Sequence, residues 1–264
     1  MSASVSLDLT TSVSLLTRAL FLQALRRREF YVLLLFMGLY LAGALVVRVV
    51  GVEDAATAAF VLNLGLTLAF FLGHIMTLII SAGTIPDEIE TRTIYPVLAK
   101  PLPRHHFFLG KWVAAWVTGM FTSAILVIIG WLPAPSVGNL SPACFIQAVV
   151  LQFFSLSMIA SLGLMLSLCI PKSVNIVLVL LLYLAGHRII TAIRGRLGET
   201  LIASLWDWLL RYIPDFGVLN LIDRYTDGYP PLGVGDFLLR VLYATIVTFT
   251  CVTVGNYLFY RRAL

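Results

Sequence analysis

Six long apolar runs, parted by shorter polar stretches, constrain this chain more than any other feature. They cover residues 30–50, 60–82, 107–131, 144–170, 174–190 and 237–260. A hydrocarbon core of about 30 Å takes about 20 apolar residues in helical form, and the runs meet that length or come close. Lipid offers the backbone no hydrogen-bond partners, so each segment must satisfy its own, as a helix does. The short alternating segments of a membrane β-barrel do not occur. The expected fold class is an all-α polytopic membrane protein with six transmembrane helices, forming one domain over residues 1–264. Composition agrees: 60% of the residues are hydrophobic and 12% charged, against about 25% charged in a soluble domain.

Basic residues set the expected orientation. Arg18, Arg26, Arg27 and Arg28 precede the first run, and Arg261 and Arg262 follow the last. Both termini are therefore expected in the cytoplasm, with the polar stretch 83–106 and the short turn at Lys172 on the same side. The segment 191–236 then lies outside, its Arg194, Arg196, Arg211 and Arg224 diluted by Glu199, Asp207, Asp215 and Asp223. The formal net charge of +5 is read as orientation and contact with anionic headgroups rather than nucleic-acid binding. Met1–Thr10 has no charged leader region. Cys144, Cys169 and Cys251 read as small apolar packing residues.

Enzyme signatures are missing from the sequence. There is no HExxH zinc motif and no GxSxG elbow. Gly110-Lys111 is followed by Trp112 and lacks the glycine of a phosphate-binding loop. No Asp or Glu lies well inside an apolar run, where ion-coupled transporters place them. His74 reads as a residue bonding across a helix interface rather than a ligand. His105 and His106 are adjacent and would point about 100° apart on a helix, so they are expected at the membrane interface rather than on a metal.

The polar stretch 83–106 is the most particular part of the chain. Thr84 suits a helix cap and Pro86 a first turn, while Asp87, Glu88 and Glu90 suit the positive end of a helix dipole. A short surface helix is expected there, ended by Pro101 and Pro103. In order, Glu88, Glu90, Thr93, Leu98, Pro101, Arg104, Gly110 and Lys111 resemble the loop between the second and third spans of type 2 ABC exporter permeases. Arg92 stands where that pattern has glycine. Pro214, Phe216, Leu219 and Asn220 resemble the Pro-x-Phe-x-x-Leu-Asn element before that family's last span.

The resemblance implies a half-transporter in a plasma membrane, of the bacterial inner-membrane kind. Two permease chains, as a homodimer or heterodimer, would each dock a separate ATPase subunit, and ATP and Mg would be bound there, with no cofactor in this chain. The coupling element would comprise Asp87, Glu88, Glu90, Thr93, Leu98, Pro101 and Arg104. The stretch Ser12–Arg28 has an apolar cluster at Leu15, Leu16, Ala19, Leu20 and Leu22, which suits a helix in the headgroup layer. The family's elbow helix would place Arg26, Arg27 and Arg28 beside lipid and ATPase, while the residues themselves are equally accounted for by lipid anchoring alone. Glu199–Tyr212 is too short to span and carries Asp207 and Arg211 at pairing distance, with Trp206 among its apolar residues. It matches the family's outer re-entrant helices, followed by Pro214.

Two other function classes compete. A membrane scaffold would use the stretch 83–106 only to bind a partner, and an intramembrane enzyme would have little beyond His74 and His187. Apolar walls suit lipids, lipid-linked glycans or amphipathic drugs, but the family also includes permeases for ions.

Overall fold

The computed structural model describes residues 28–51, 55–91, 104–132, 140–197 and 214–261, with the side chains of 55, 104 and 188–197 excepted. Among these residues every regular element is helical. The order is α1 (Arg28–Val49), α2 (Ala55–Glu90), α3 (Arg104–Trp131), α4 (Pro142–Leu166), α5 (Lys172–Leu197), α6 (Ile222–Thr226) and α7 (Val234–Arg261), with a 3₁₀ turn at Gly217–Leu219 before α6. Five of them (α1, α2, α3, α4 and α7) are long and apolar enough to cross a membrane. The described apolar stretch of α5, Lys172–His187, is shorter. The expected Ser12–Arg28 helix, apart from Arg28 itself, and the expected Glu199–Tyr212 helix lie outside the described residues, as do Arg26, Arg27, Trp206, Asp207 and Arg211.

α2 is the central strut, packing against α1, α3, α4, α5 and α6. Its closest neighbour is α3, along an antiparallel seam of small residues. A Cβ on Gly65 would lie 2.8 Å from the Gly130 carbonyl oxygen, and one on Gly130 would lie 2.7 Å from that of Gly65. Further along, Gly73 lies on Ser123 and Gly119 lies on Thr77. Lipid gives no hydrophobic drive to join helices, so close backbone approach over small residues supplies the association through dispersion contacts. Tyr40 pins α1 to this crossing, its hydroxyl donating to the carbonyls of Val61 (3.0 Å) and Gly130 (3.4 Å).

α4 starts with Ser141, whose hydroxyl accepts from the Cys144 amide, and with Pro142 in the first turn. It was expected to run to Ile170 but ends at Leu166, and residues 167–170 form a turn into Pro171. That ending corrects the reading of Cys169, which is exposed in the turn, while Cys144 and Cys251 are buried. α1 and α7 sit at the periphery. Their outward faces carry Leu35, Phe36 and Leu39, and Leu242, Ile246 and Phe249, all more than half exposed. Such faces are stable against lipid or another apolar helix.

The largest departure from expectation lies at the end of α2. No new helix begins at Thr84. α2 runs unbroken through Thr84 and Pro86 to Glu90. Thr84 lies four residues beyond Ile80 on a buried face and donates its hydroxyl to the Ile80 carbonyl, as an internal threonine does. Pro86 removes one backbone bond, but tertiary packing around Ala82 and Ile85, both fully buried, holds the helix through it. Asp87, Glu88 and Glu90 therefore stand at the negative end of the helix dipole rather than the positive one, and need cations from elsewhere.

Candidate functional site

Those cations come from α3 and α5. The Lys111 ammonium pairs with the Glu88 carboxylate, and its side chain is 4% exposed. It also stands 5.1 Å from the centre of the Phe107 ring. Lys172, first residue of α5, reaches across α2 and contacts both oxygens of Asp87, at 2.9 and 3.0 Å. Gly83 leaves the space it crosses, since a Cβ there would lie 2.9 Å from the ammonium. Adjacent carboxylates on α2 thus hold two different helices. Glu90 is exposed beside them.

A small apolar cluster shields the Lys111 pair from water. Phe107, Phe108 and Ile85 pack with Leu164, Leu168, Val252 and Phe259. The Phe107 and Phe259 rings stack at 5.7 Å, which brings the C-terminal part of α7 to the same end. A charge in such surroundings persists only when paired, because water can no longer solvate it. Arg104 is the first residue of α3 and Arg28 the first, exposed residue of α1. Thr93, Leu98 and Pro101 lie outside the described residues.

Midway along α2, His74 is 2% exposed. The Phe70 carbonyl (2.8 Å) only accepts, so Nδ1 carries the proton and Nε2 accepts from the Ser155 hydroxyl at 2.7 Å. This is the expected cross-helix bond, with both ring nitrogens engaged. The Gln152 amide donates to the Phe70 carbonyl (3.3 Å) and to Ser123 (3.4 Å), joining α2, α3 and α4. Tyr183 of α5 lies against the His74 ring with 4.4 Å between centres.

The opposite end of the bundle is closed by residues 214–233. Pro214 and Phe216 are buried, and the Phe216 ring meets Tyr183 at 5.6 Å and His74 at 6.3 Å. Hydrogen bonds, most of them between uncharged groups, hold the segment down. Asn63 donates to Asp223 (3.0 Å) and to Thr226 (2.8 Å). The Gln147 side chain both donates to the Leu232 carbonyl (3.0 Å) and accepts from its amide (2.8 Å). Trp131 donates to the Tyr225 hydroxyl at 3.1 Å. Burial pushes the Tyr225 phenol above its ordinary value, partly offset by that bond, so it stays a neutral acceptor. Asp215 accepts from His187, with Nδ1 2.9 Å from one oxygen, and its amide donates to Tyr243. Asn220 caps the next turn, its side chain accepting from the Ile222 amide.

Two of the residues that organise the charged end, Lys111 and Lys172, were not among the expected site residues. A lysine inside an apolar helix start, and another opening a helix straight after a proline, were the available signals. The helical strut, the small-residue seam and the paired charges describe an apolar helical bundle with a charged end. The model of the ABC-2 family transporter protein matches residues 18–194, well over half of the chain. The chain belongs to the ABC-2 transporter family. It is a multi-pass membrane component of a transporter, in keeping with its five long apolar helices. No curated protein gives a significant match. The family match ends before Pro214, so the closing segment 214–233 of this ABC-2 protein lies beyond the matched residues.

Proposed function

We infer that this ABC-2 membrane protein is the permease half of an exporter driven by a separate ATPase subunit. Two such chains pair, as a homodimer or heterodimer, each carrying one ATPase that binds ATP and Mg. In this reading α5 completes six crossings, both termini face the cytoplasm, and the membrane is a plasma membrane such as the bacterial inner membrane. The ATPase docks where α2 ends and α3 begins, around Glu90, the connection carrying Thr93, Leu98 and Pro101, and Arg104. Arg26, Arg27 and Arg28 flank that surface from the N-terminal side. Trp206, Asp207, Arg211 and Pro214 belong to the opposite, outward side.

The observation that carries this reading is the charge lock at the end of α2. Glu88 is joined to Lys111 on α3 and Asp87 to Lys172 on α5. A push on the connection between α2 and α3 would therefore reach three helices at once. A membrane scaffold has no need of such a linkage.

The test is co-purification of the tagged full-length chain with its cognate ATP-binding-cassette subunit, followed by ATPase assay in nanodiscs. Glu90→Lys reverses an exposed charge without disturbing either ion pair. It should weaken ATPase binding about tenfold, the effect of losing roughly 1.4 kcal/mol of interfacial contact. Unchanged binding and stimulation by Glu90→Lys would remove this end of the bundle as the docking surface. Labelling a cysteine placed at Gly228 from the outer side checks the orientation, and protection there would reverse it.

A further inference from the structure

We propose that Lys172 is a positioning residue for transport, its ion pair with Asp87 being the releasable contact by which the joined α2 and α3 command α5. This rests on the docking reading above and names the residue through which that docking acts.

The two ion pairs at this end differ in what holds them. The Lys111 side chain is 4% exposed and sits under an aromatic cluster, so parting it from Glu88 strands a charge away from water. The Lys172 and Asp87 side chains are each 36% exposed. Water can replace either partner there, and the bond opens at little cost. The first joint is fixed and the second can release.

The packing divides along the same line. α2 and α3 are stitched along their length by the Gly65–Gly130, Gly73–Ser123 and Thr77–Gly119 contacts, which leave no slack for sliding. The first turn of α5 is instead tied to α4, where the buried Asn175 amide donates to the Gly163 carbonyl at 2.7 Å. α4 is itself bonded to α2 and α3 through His74, Gln152 and Ser155, so these three helices form one body, and Asp87–Lys172 is the charged contact that joins the first turn of α5 to it. Gly83 preserves the passage for the lysine chain, because any larger residue there would meet its Cε and Nζ.

A native reporter lies next to the bridge. Cys169 is exposed in the turn just before Lys172, while Cys144 and Cys251 are buried. The experiment uses the full chain with its cognate ATPase in nanodiscs. Maleimide labelling of Cys169 is timed without nucleotide and again with ATP, magnesium and orthovanadate. Opening of the bridge shifts the turn that carries Cys169, so its labelling rate should differ severalfold between the two conditions as the populations of the two states change. Lys172→Met should label at one rate in both conditions while the ATPase stays bound. The exchanged pair Asp87→Lys with Lys172→Asp should restore the change, which a purely structural lysine would not allow. Gly83→Leu, which displaces the ammonium and keeps every charge, should behave as Lys172→Met does.

A full nucleotide-dependent change in both Lys172→Met and Gly83→Leu, with the ATPase bound, overturns the proposal and leaves the docking reading standing. Absence of any change in the unaltered complex overturns it too. Failure of the unaltered chain to bind the ATPase sinks the docking reading, and this inference with it.

Discussion

The two ends of this helical bundle are fastened by different chemistry. At one end, adjacent carboxylates on α2 hold lysines from α3 and α5. At the other, residues 214–233 are held mainly by a buried phenylalanine and by amide, indole and phenol hydrogen bonds, in which the Gln147 side chain mimics a backbone neighbour for Leu232, with Asp215 and Asp223 bonded to His187 and Asn63 beside them. Charge pairs are long-ranged and respond to another charged body, whereas neutral bonds and packed rings depend on contact alone. The first kind of fastening can respond to a charged partner, as the proposed docking of an ATPase requires, and the second depends on contacts within the chain. The His74, Gln152 and Ser155 bonds between them tie α2, α3 and α4 into one unit, so both ends act on the same body.

The largest effect is expected at the buried ion pair. Glu88→Ala leaves the Lys111 charge without its partner in an apolar cluster, and should cost about 3–5 kcal/mol. Thermal unfolding in detergent, with loss of the monodisperse peak on gel filtration, measures it. Adding Lys111→Met should recover most of the loss. If Glu88→Ala is harmless, the contrast in burial between the two ion pairs is wrong.

At the other end, Phe216→Ala removes a ring that is 3% exposed and seated on Tyr183 and His74. About 3 kcal/mol is the expected cost. Labelling of a cysteine at Gly228 should also accelerate, since the segment loses its deepest anchor. Gln147→Leu comes next. It leaves the amide and carbonyl of Leu232 without their side-chain partner and should cost about 1–2 kcal/mol. Because no charge is involved, that loss should be the same at low and high salt.

Asp87→Asn should have the smallest effect on stability, below about 1 kcal/mol, because both partners are partly exposed. Its effect should fade as salt rises, unlike the salt-independent loss expected of Gln147→Leu. A salt-independent loss larger than that of Gln147→Leu would mean that the Asp87–Lys172 pair is a fixed joint, not a releasable one.

How much of this could be read in advance depended on the range of the signal. The long apolar runs gave helices at nearly the observed places, because spanning lipid leaves one choice of backbone structure. The end of α2 misled for a physical reason. Thr-x-Pro followed by acidic residues is a good helix start when considered alone, and the same residues continue a helix when buried neighbours hold it. Thr84 can bond to its own helix or cap a new one, and only the packing of Ala82 and Ile85 decides. Cys169 was misjudged similarly, since its run is apolar throughout but the helix stops three residues short of it.

By itself, then, the sequence determined that the chain lives in lipid, that its regular structure is helical, and that its acidic stretch sits near the entry to the third run. Composition and run length suffice for those, because the hydrocarbon acts on every residue alike. The tertiary structure alone decided which lysine answers which carboxylate, that one pair is sheltered and the other wet, and that Phe216 reaches His74. Those depend on residues up to 142 positions apart meeting in the packed bundle, where glycines 65 and 130 let two backbones touch and glycines 73, 83 and 119 leave room for a neighbour's side chain. A helix's own periodicity says which faces are apolar, but not which neighbour each face will meet.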